Sequence, residues 1–358
     1  MLSAQERSAI LSRAANLLQA SKEKYAKIIT DESGLCLKDT LYEIDRVISA
    51  AMYAAIVAER IERDTTEEYL LGGKTGPRLK VITEPLDLAI GITPFNHPMN
   101  QVAHKVFPAI AAGTAIIIKP SEKTPLSAIL LKNILEESGL PRNLLTIVIN
   151  KDVEKLVSKL VETSLVDIVS FTGSFEVGSR ISRMTGLKKF IPELGGSSAF
   201  IVNDDADIEI AAKLAVKGCF SNSGQRCTAI RRIIVLENIA DHFIKIFIAE
   251  TEKIRSGDPY DVATDMGTLI NEDAAKLIQK RAEHAIKDGA KLLFGNKREG
   301  ALYTPTILDR ISQNSELIAC ETFGPIAPII RARDLGEAIQ IAKNTDYALA
   351  GAIATKSR

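Results

Sequence analysis

Apolar residues recur at helical spacing over 4–30 and again over 38–63, where Ile44, Val47, Ile48, Ala51, Met52, Ala55 and Ile61 share a face. Two long helices are expected there. Ser3 and Glu6 stand ahead of the first run at the spacing of a capping box. Over 69–85 the period changes. Tyr69-Leu70-Leu71 is followed by Gly72-Gly73 and then by the run from Leu79 to Thr83, which predicts a β-hairpin with a glycine-rich turn. From Leu86 onward short apolar runs alternate with helical stretches. Strands are expected at 88–93, 115–119, 144–149 and 167–171, and helices near 98–112, 125–138, 152–163 and 175–186. Pro98 and Pro125 sit near helix starts, where a missing N–H costs nothing. Such alternation predicts an α/β fold with a doubly wound parallel sheet, which binds ligands at the carboxyl ends of its strands. After Leu194-Gly195-Gly196 a second α/β section follows, with strands at 199–202 and 232–236 and helices near 207–219, 238–254 and 272–288. The apolar run over 348–354 reads as a last strand, and its nearness to the chain end suggests a fragment.

At 358 residues the chain is long enough for two domains. Its 45 Lys and Arg balance 45 Asp and Glu, so no basic excess exists to hold a nucleic acid. No apolar run is long enough for a membrane-spanning helix, and the opening Met1-Leu2-Ser3-Ala4 reads as a helix start rather than a secretion signal. Cys36, Cys219, Cys227 and Cys320 show neither metal-ligand spacing nor a disulfide framework. A cytoplasmic setting suits a reduced catalytic thiol.

Cys227 is the best candidate for that thiol. A Gly224-Gln225-Arg226 turn presents it just ahead of a β-branched run, and the Arg226 charge favours the thiolate. A buried structural cysteine is the competing reading. Asn96, in Thr93-Pro94-Phe95-Asn96-His97-Pro98 at the end of a predicted strand, can donate to an oxyanion or simply cap the next helix. Lys119 and Glu122 follow another strand and can bond a ribose diol. Phe171-Thr172-Gly173-Ser174 opens a helix whose backbone amides suit a pyrophosphate. Glu193 precedes Leu194-Gly195-Gly196, and apolar neighbours there would disfavour its charged form, which suits a general base. Glu321-Thr322-Phe323-Gly324-Pro325 is a polar turn whose carboxylate could hold a second ribose.

Phe-Asn-His-Pro, Lys-Pro-Ser-Glu, Phe-Thr-Gly-Ser, Glu-Leu-Gly-Gly, Gly-Gln-Arg-Cys and Glu-Thr-Phe-Gly-Pro together resemble the aldehyde dehydrogenase superfamily, in its order and over essentially the whole chain. The resemblance implies that Cys227 attacks an aldehyde and that Asn96 and the Cys227 N–H hold the oxyanion. Hydride then passes to nicotinamide to leave a thioester, which water activated by Glu193 hydrolyses. It implies cofactor roles for Phe95, Lys119, Glu122, Gly173, Ser174, Glu321 and Phe323. NAD is the expected cofactor, with NADP open, because the Glu122 carboxylate would repel a 2′-phosphate. It implies a NAD-binding domain over 1–68 and 86–194, an oligomerisation hairpin over 69–85 and a catalytic domain over 195–358.

Arg46 and Arg226 resemble the pair that clamps the far anionic group in branches acting on phosphonoacetaldehyde, lactaldehyde and glyceraldehyde-3-phosphate. Bidentate guanidinium contacts suit such groups. A helix ion pair between Glu43 and Arg46 is the alternative. The runs around Asn96 and Lys119 lean toward phosphonoacetaldehyde, with succinate semialdehyde a further option, and His97 is expected to shape the pocket mouth. Family members extend past both ends of this chain. A homodimer or homotetramer is therefore expected of a full-length enzyme, with assembly impaired here. An acylating, coenzyme-A-dependent relative is disfavoured because Glu193 is present. An inactive remnant that only binds NAD stays open.

Overall fold

The computed structural model describes residues 2–63, 66–71 and 76–357. The chain divides into two compact units, Met1–Glu32 with Leu41–Glu193, and Ser33–Thr40 with Leu194–Arg358. Among the described residues no helix is long and apolar enough to cross a membrane.

In the first unit, α1 (Ala4–Ala20) opens on the expected capping box, with the Glu6 N–H on Ser3 Oγ and the Ser3 N–H on Glu6 Oε2. The expected single helix over 4–30 is interrupted at Ser21, and the chain resumes as α2 (Lys22–Ser33) and α3 (Leu37–Arg63). Ser21 caps the end of α1 instead of extending it, its N–H reaching Leu17 O. The hairpin consists of β1 (Thr66–Leu70) and β2 (Arg78–Ile82), so it begins and ends three residues earlier than the 69–85 expectation. Gly72 and Gly73 lie outside the described residues.

Then come β3 (Leu88–Ile92), α4 (Pro98–Ala112), β4 (Ala115–Lys119), α5 (Leu126–Glu137), β5 (Leu145–Ile147), α6 (Val153–Glu162), β6 (Ile168–Thr172), α7 (Phe175–Met184) and β7 (Lys189–Glu193). The strands form a parallel sheet ordered β5-β4-β3-β6-β7. The order reverses between β3 and β6, so loops after these two strands diverge and leave a crevice at their carboxyl ends. Leu11, Leu18, Val47, Met99, Phe107 and Leu131 are buried in the core of this unit.

The second unit contains β8 (Ser198–Val202), α8 (Ile208–Phe220), β9 (Ile230–Leu236), α9 (Glu237–Thr251), α10 (Glu272–Lys287), β10 (Lys291–Phe294), β11 (Arg298–Glu299), β12 (Leu302–Tyr303), β13 (Thr306–Asp309), α11 (Glu316–Ala319), β14 (Ile326–Ala332), α12 (Leu335–Lys343) and β15 (Gly351–Ala354). Its main sheet is ordered β10-β13-β14-β9-β8-β15; it is parallel except for the antiparallel edge strand β10. Successive residues of β9 enter opposite cores. Ile233 and Val235 pack with Phe243 and Phe247, while Ile234 and Leu236 pack with Ile278 and Leu308. That two-sided burial explains the unbroken apolar run.

Candidate active site

The candidate residues fall into two sets, one per unit. In the first unit Phe95 and Asn96 follow β3, Lys119 ends β4, Gly173 and Ser174 follow β6, and Glu193 ends β7. All therefore lie at strand carboxyl ends, as the sheet's hand dictates. Asn96 is buried. Its loop is held by a residue that the sequence offered only as a partner for Arg46. Glu43, buried on α3, accepts the N–H groups of Met99 and Asn100 on one carboxylate oxygen, at 2.9 Å each. His97, at the N-cap of α4, supplies no side-chain cap, and its Nδ1 lies 3.6 Å from the other Glu43 oxygen. A carboxylate at a helix N-terminus is a favourable charge–dipole arrangement. Glu43 therefore serves the start of α4, which corrects the alternative that it is Arg46's helix partner. Arg46 itself is exposed.

Lys119 is buried and ion-paired with the partly exposed Glu122, and the Lys123 ammonium sits 5.0 Å from the Phe95 ring centroid. Ser174 caps α7, its Oγ accepting the Val177 N–H at 3.3 Å. The Phe171 ring fills the space a side chain at Gly173 would need, since an added Cβ would lie 2.6 Å from it. Beside this turn, α6 and α7 border a groove of about 330 Å3 lined by Val153, Val157, Val177, Ile181 and Met184.

Glu193 is exposed, and two basic side chains lie in its field, so the expected apolar setting is corrected. One is Lys105, buried on α4, whose ammonium donates to Ser170 Oγ at 3.0 Å and Thr172 Oγ1 at 2.9 Å. Burial pushes its pKa down to about 8, against the pull of the Glu193 charge. The other is His104, shifted down by burial and then by the charges of Arg46 and Lys105, with Glu193 opposing. Both stand in the His104-Lys105-Val106-Phe107-Pro108 run. Their only signal was a lysine and a histidine amid helix-core residues.

In the second unit the site gathers at the amino ends of strands instead. The Cys227 turn leads into β9, and Glu321–Pro325 leads into the adjacent parallel strand β14. The turn is closely braced. Asn222, Ser223 and Gly224 take left-handed backbone angles, with φ of 58°, 53° and 66°. Asp39 accepts the Asn222 N–H at 3.1 Å, Ser223 Oγ donates to Gly267 O at 3.1 Å, and Gln225 Oε1 accepts the Ile270 N–H at 3.0 Å. Gly224 packs so closely on the Gly324 carbonyl that a Cβ there would overlap it. A Cβ on Gly196 would lie 2.7 Å from the Cys227 carbonyl oxygen. Cys227 is partly exposed and Cys219 fully buried.

Arg226 turns toward α8, its guanidinium donating to Lys217 O at 3.4 Å and Gly218 O at 3.3 Å, at a helix C-terminus that favours a cation. The Glu321 carboxylate accepts the Gly196 N–H at 3.2 Å. Burial shifts its pKa up, against that hydrogen bond and the charge of Arg231. Arg231 lies 5.4 Å from the Phe323 ring centroid.

The first unit thus presents a strand edge of the dinucleotide-binding type, and the second a cysteine on a strapped turn. The chain belongs to the aldehyde dehydrogenase family, whose profile matches residues 1–358. It is 35% identical over 361 residues to a lactaldehyde dehydrogenase of Methanococcus maripaludis, covering 99% of this chain and 75% of that one. It is 35% identical over 350 residues to the 3-sulfolactaldehyde dehydrogenase of Priestia aryabhattai, covering 98% and 73%. The crystal structure of a glyceraldehyde-3-phosphate dehydrogenase from Methanocaldococcus jannaschii, complexed with NADP, superposes with a TM-score of 0.93 at 36% identity, covering 99% of this chain and 77% of that one. The chain is thus an aldehyde dehydrogenase family member of the kind that oxidises small aldehydes.

Proposed function

We propose that the chain oxidises a short aldehyde carrying an anionic or hydroxylated far end to the carboxylate, with Cys227 as nucleophile. The observation that carries this is the Cys227 turn: each of the four residues from Asn222 to Gln225 is tied to residues of the second unit outside the turn, and the thiol follows two residues on. The thiolate adds to the carbonyl carbon, forming a C–S bond and an oxyanion. The Asn96 amide and the Cys227 N–H are proposed as its donors. A bound nicotinamide would accept the hydride that leaves this carbon as its C–H bond breaks and the oxyanion re-forms a C=O bond, which gives a thioester. Glu193 then takes a proton from water, whose oxygen attacks the thioester carbon, and the C–S bond breaks to return the thiolate and release the acid.

The first unit's residues fit a nicotinamide dinucleotide. The α7 N-terminus, with Ser174 as cap, is suited to a pyrophosphate. The apolar groove of α6 and α7 is suited to an adenine, and the Lys119–Glu122 pair to a ribose diol. In the second unit the buried Glu321 carboxylate and Phe323 are proposed for the nicotinamide ribose. Glu122 favours NAD over NADP.

Arg46 is proposed to meet the far anion. Its exposed guanidinium is not paired to Glu43, and His104 shares its field. The names of the relatives fit such a class: lactaldehyde, 3-sulfolactaldehyde and glyceraldehyde-3-phosphate. Phosphonoacetaldehyde and succinate semialdehyde belong to it chemically. Arg226, engaged with α8, is proposed first for the turn and second for the substrate. Further copies of the chain are proposed as partners through the hairpin, where Leu70, Leu79 and Ile82 are exposed.

The test is a single-turnover burst of NADH from the purified chain given NAD with each of these aldehydes and with propanal, a neutral aldehyde that carries no hydroxyl. A burst confined to anionic or hydroxylated aldehydes supports the reading. An equal burst with the neutral aldehyde overturns the substrate class, and no burst from folded, NAD-binding protein overturns the activity.

A further inference from the structure

Arg231 and Arg232 are adjacent on β9, both buried, and they brace different things. Arg232 donates to Ser197 O at 3.1 and 2.8 Å and to Ile341 O and Ala342 O at 2.9 Å each, none of them a carbonyl of the Gly224–Cys227 turn. Arg231 donates to Gly224 O at 2.7 Å, Arg226 O at 2.9 Å and Gly324 O at 3.1 Å. Two of those carbonyls belong to the turn that carries Cys227, and the third belongs to the turn that carries Glu321 and Phe323.

We propose that Arg231 is a positioning residue for Cys227. Its guanidinium fastens the thiol-bearing turn to the Glu321–Pro325 turn and supplies the positive charge that favours the thiolate. This rests on the reading of Cys227 as nucleophile.

Three observations carry it. Carbonyls neutralise no charge, so donors spent on carbonyls leave the positive field of the guanidinium in a low-dielectric interior. The Arg231 Nε–H is buried without a hydrogen-bond partner, a cost that a simple brace would avoid. The charge is also costly to keep, since burial brings its pKa down to about 10. The titratable groups facing it are Glu321, Cys219, Arg226 and Cys227, and all but Arg226 are acids that favour the charged guanidinium. Cys219 is itself held protonated by burial, with its pKa pushed up to about 12. Arg226, often the obvious cation beside such a cysteine, has turned to the α8 carbonyls.

The test is the pH profile of iodoacetamide alkylation, with the modified cysteine located by peptide mass spectrometry, in the wild-type chain and in Arg231→Met, Arg231→Lys and Arg232→Met. Arg231→Met is expected to raise the apparent pKa of Cys227 by about one unit and to slow its alkylation at neutral pH roughly tenfold. Arg231→Lys, which keeps the charge but loses the fork, should recover part of the rate. Arg232→Met should lower thermal stability and leave the profile in place. A profile unmoved by Arg231→Met, or moved equally by Arg232→Met, overturns the proposal. If Arg231→Met does not fold, Arg231→Gln, which keeps an amide donor without charge, must show the same upward shift or the proposal falls. Alkylation that lands on another cysteine in the wild-type chain overturns the reading of Cys227 as nucleophile. An unmoved Cys227 profile overturns only the role of Arg231.

Discussion

Replacing the Cys227 sulfur by oxygen removes the thiol proposed as nucleophile, since a serine hydroxyl is a far weaker acid. Cys227→Ser is expected to abolish hydride release while leaving NAD binding within about twofold, as read by cofactor fluorescence titration; retained turnover would exclude this nucleophile. Glu193→Gln should preserve the first-turnover burst and cut steady turnover at least ~100-fold, the usual weight of a general base. Normal steady turnover would remove Glu193 from the hydrolytic step. Glu122→Gln should improve kcat/KM with NADP relative to NAD by about tenfold, because it removes a carboxylate from beside a 2′-phosphate. An unchanged ratio would place cofactor choice elsewhere. Asn96, Cys227 and Glu321 could be named as candidates from the sequence because each lies in a short motif at a turn. Glu43, Lys105 and Arg231 could not. What defines each is a partner far along the chain: Met99 for Glu43, Ser170 for Lys105, Gly324 for Arg231.

Helices with end signals were readable to within a residue or two, as α4 shows, starting at Pro98 and closed by Gly113 in the left-handed conformation with φ of 82°. The strand β7 was missed because it lies at the sheet edge with an almost wholly exposed sequence, so no apolar alternation marks it. The pieces β10 to β13 run to four residues at most, below what periodicity resolves. At this scale the caps can be tested. Ser174→Ala should cost about 1 kcal/mol of stability, the ordinary weight of an N-cap, and should raise KM for NAD with kcat less affected, since it frays the turn proposed for the pyrophosphate. Equal losses of kcat and KM-independent stability, with KM unchanged, would reduce Ser174 to a cap alone.

Across the whole molecule, buried groups set the dependence of stability on pH. The Cys36 and Cys219 thiols are pushed by burial from 9.0 to about 12. Above pH 9 the unfolded chain sheds protons that the folded chain keeps, so stability should fall from pH 9 toward 12, by up to about 1.4 kcal/mol per pH unit for each thiol. Lys105 acts in the opposite sense. Its ammonium is lowered from 10.5 to about 8, so the folded chain sheds its proton first and stability gains between those values. Urea midpoints across this range should show the gain shrinking in Lys105→Met and the alkaline loss shrinking in Cys219→Ala; unchanged slopes would dissociate these groups from the pH response. Cys36 belongs to the segment Ser33–Thr40, which is grouped with the second unit although its sequence neighbours on both sides are grouped with the first. Its bonds run to residues far downstream: the Leu37 N–H to Pro259 O, the Thr268 N–H to Gly34 O, and the Asn222 N–H to Asp39. On the ribosome this segment is made more than 180 residues before its first such partner. Leu35 and Cys36, both buried in the finished fold, must wait in solvent while the first unit emerges around them. Nascent chains should therefore show a Cys36 thiol open to alkylation until the residues near 268 have left the exit tunnel, so the order of synthesis alone leaves this segment's partners to the end.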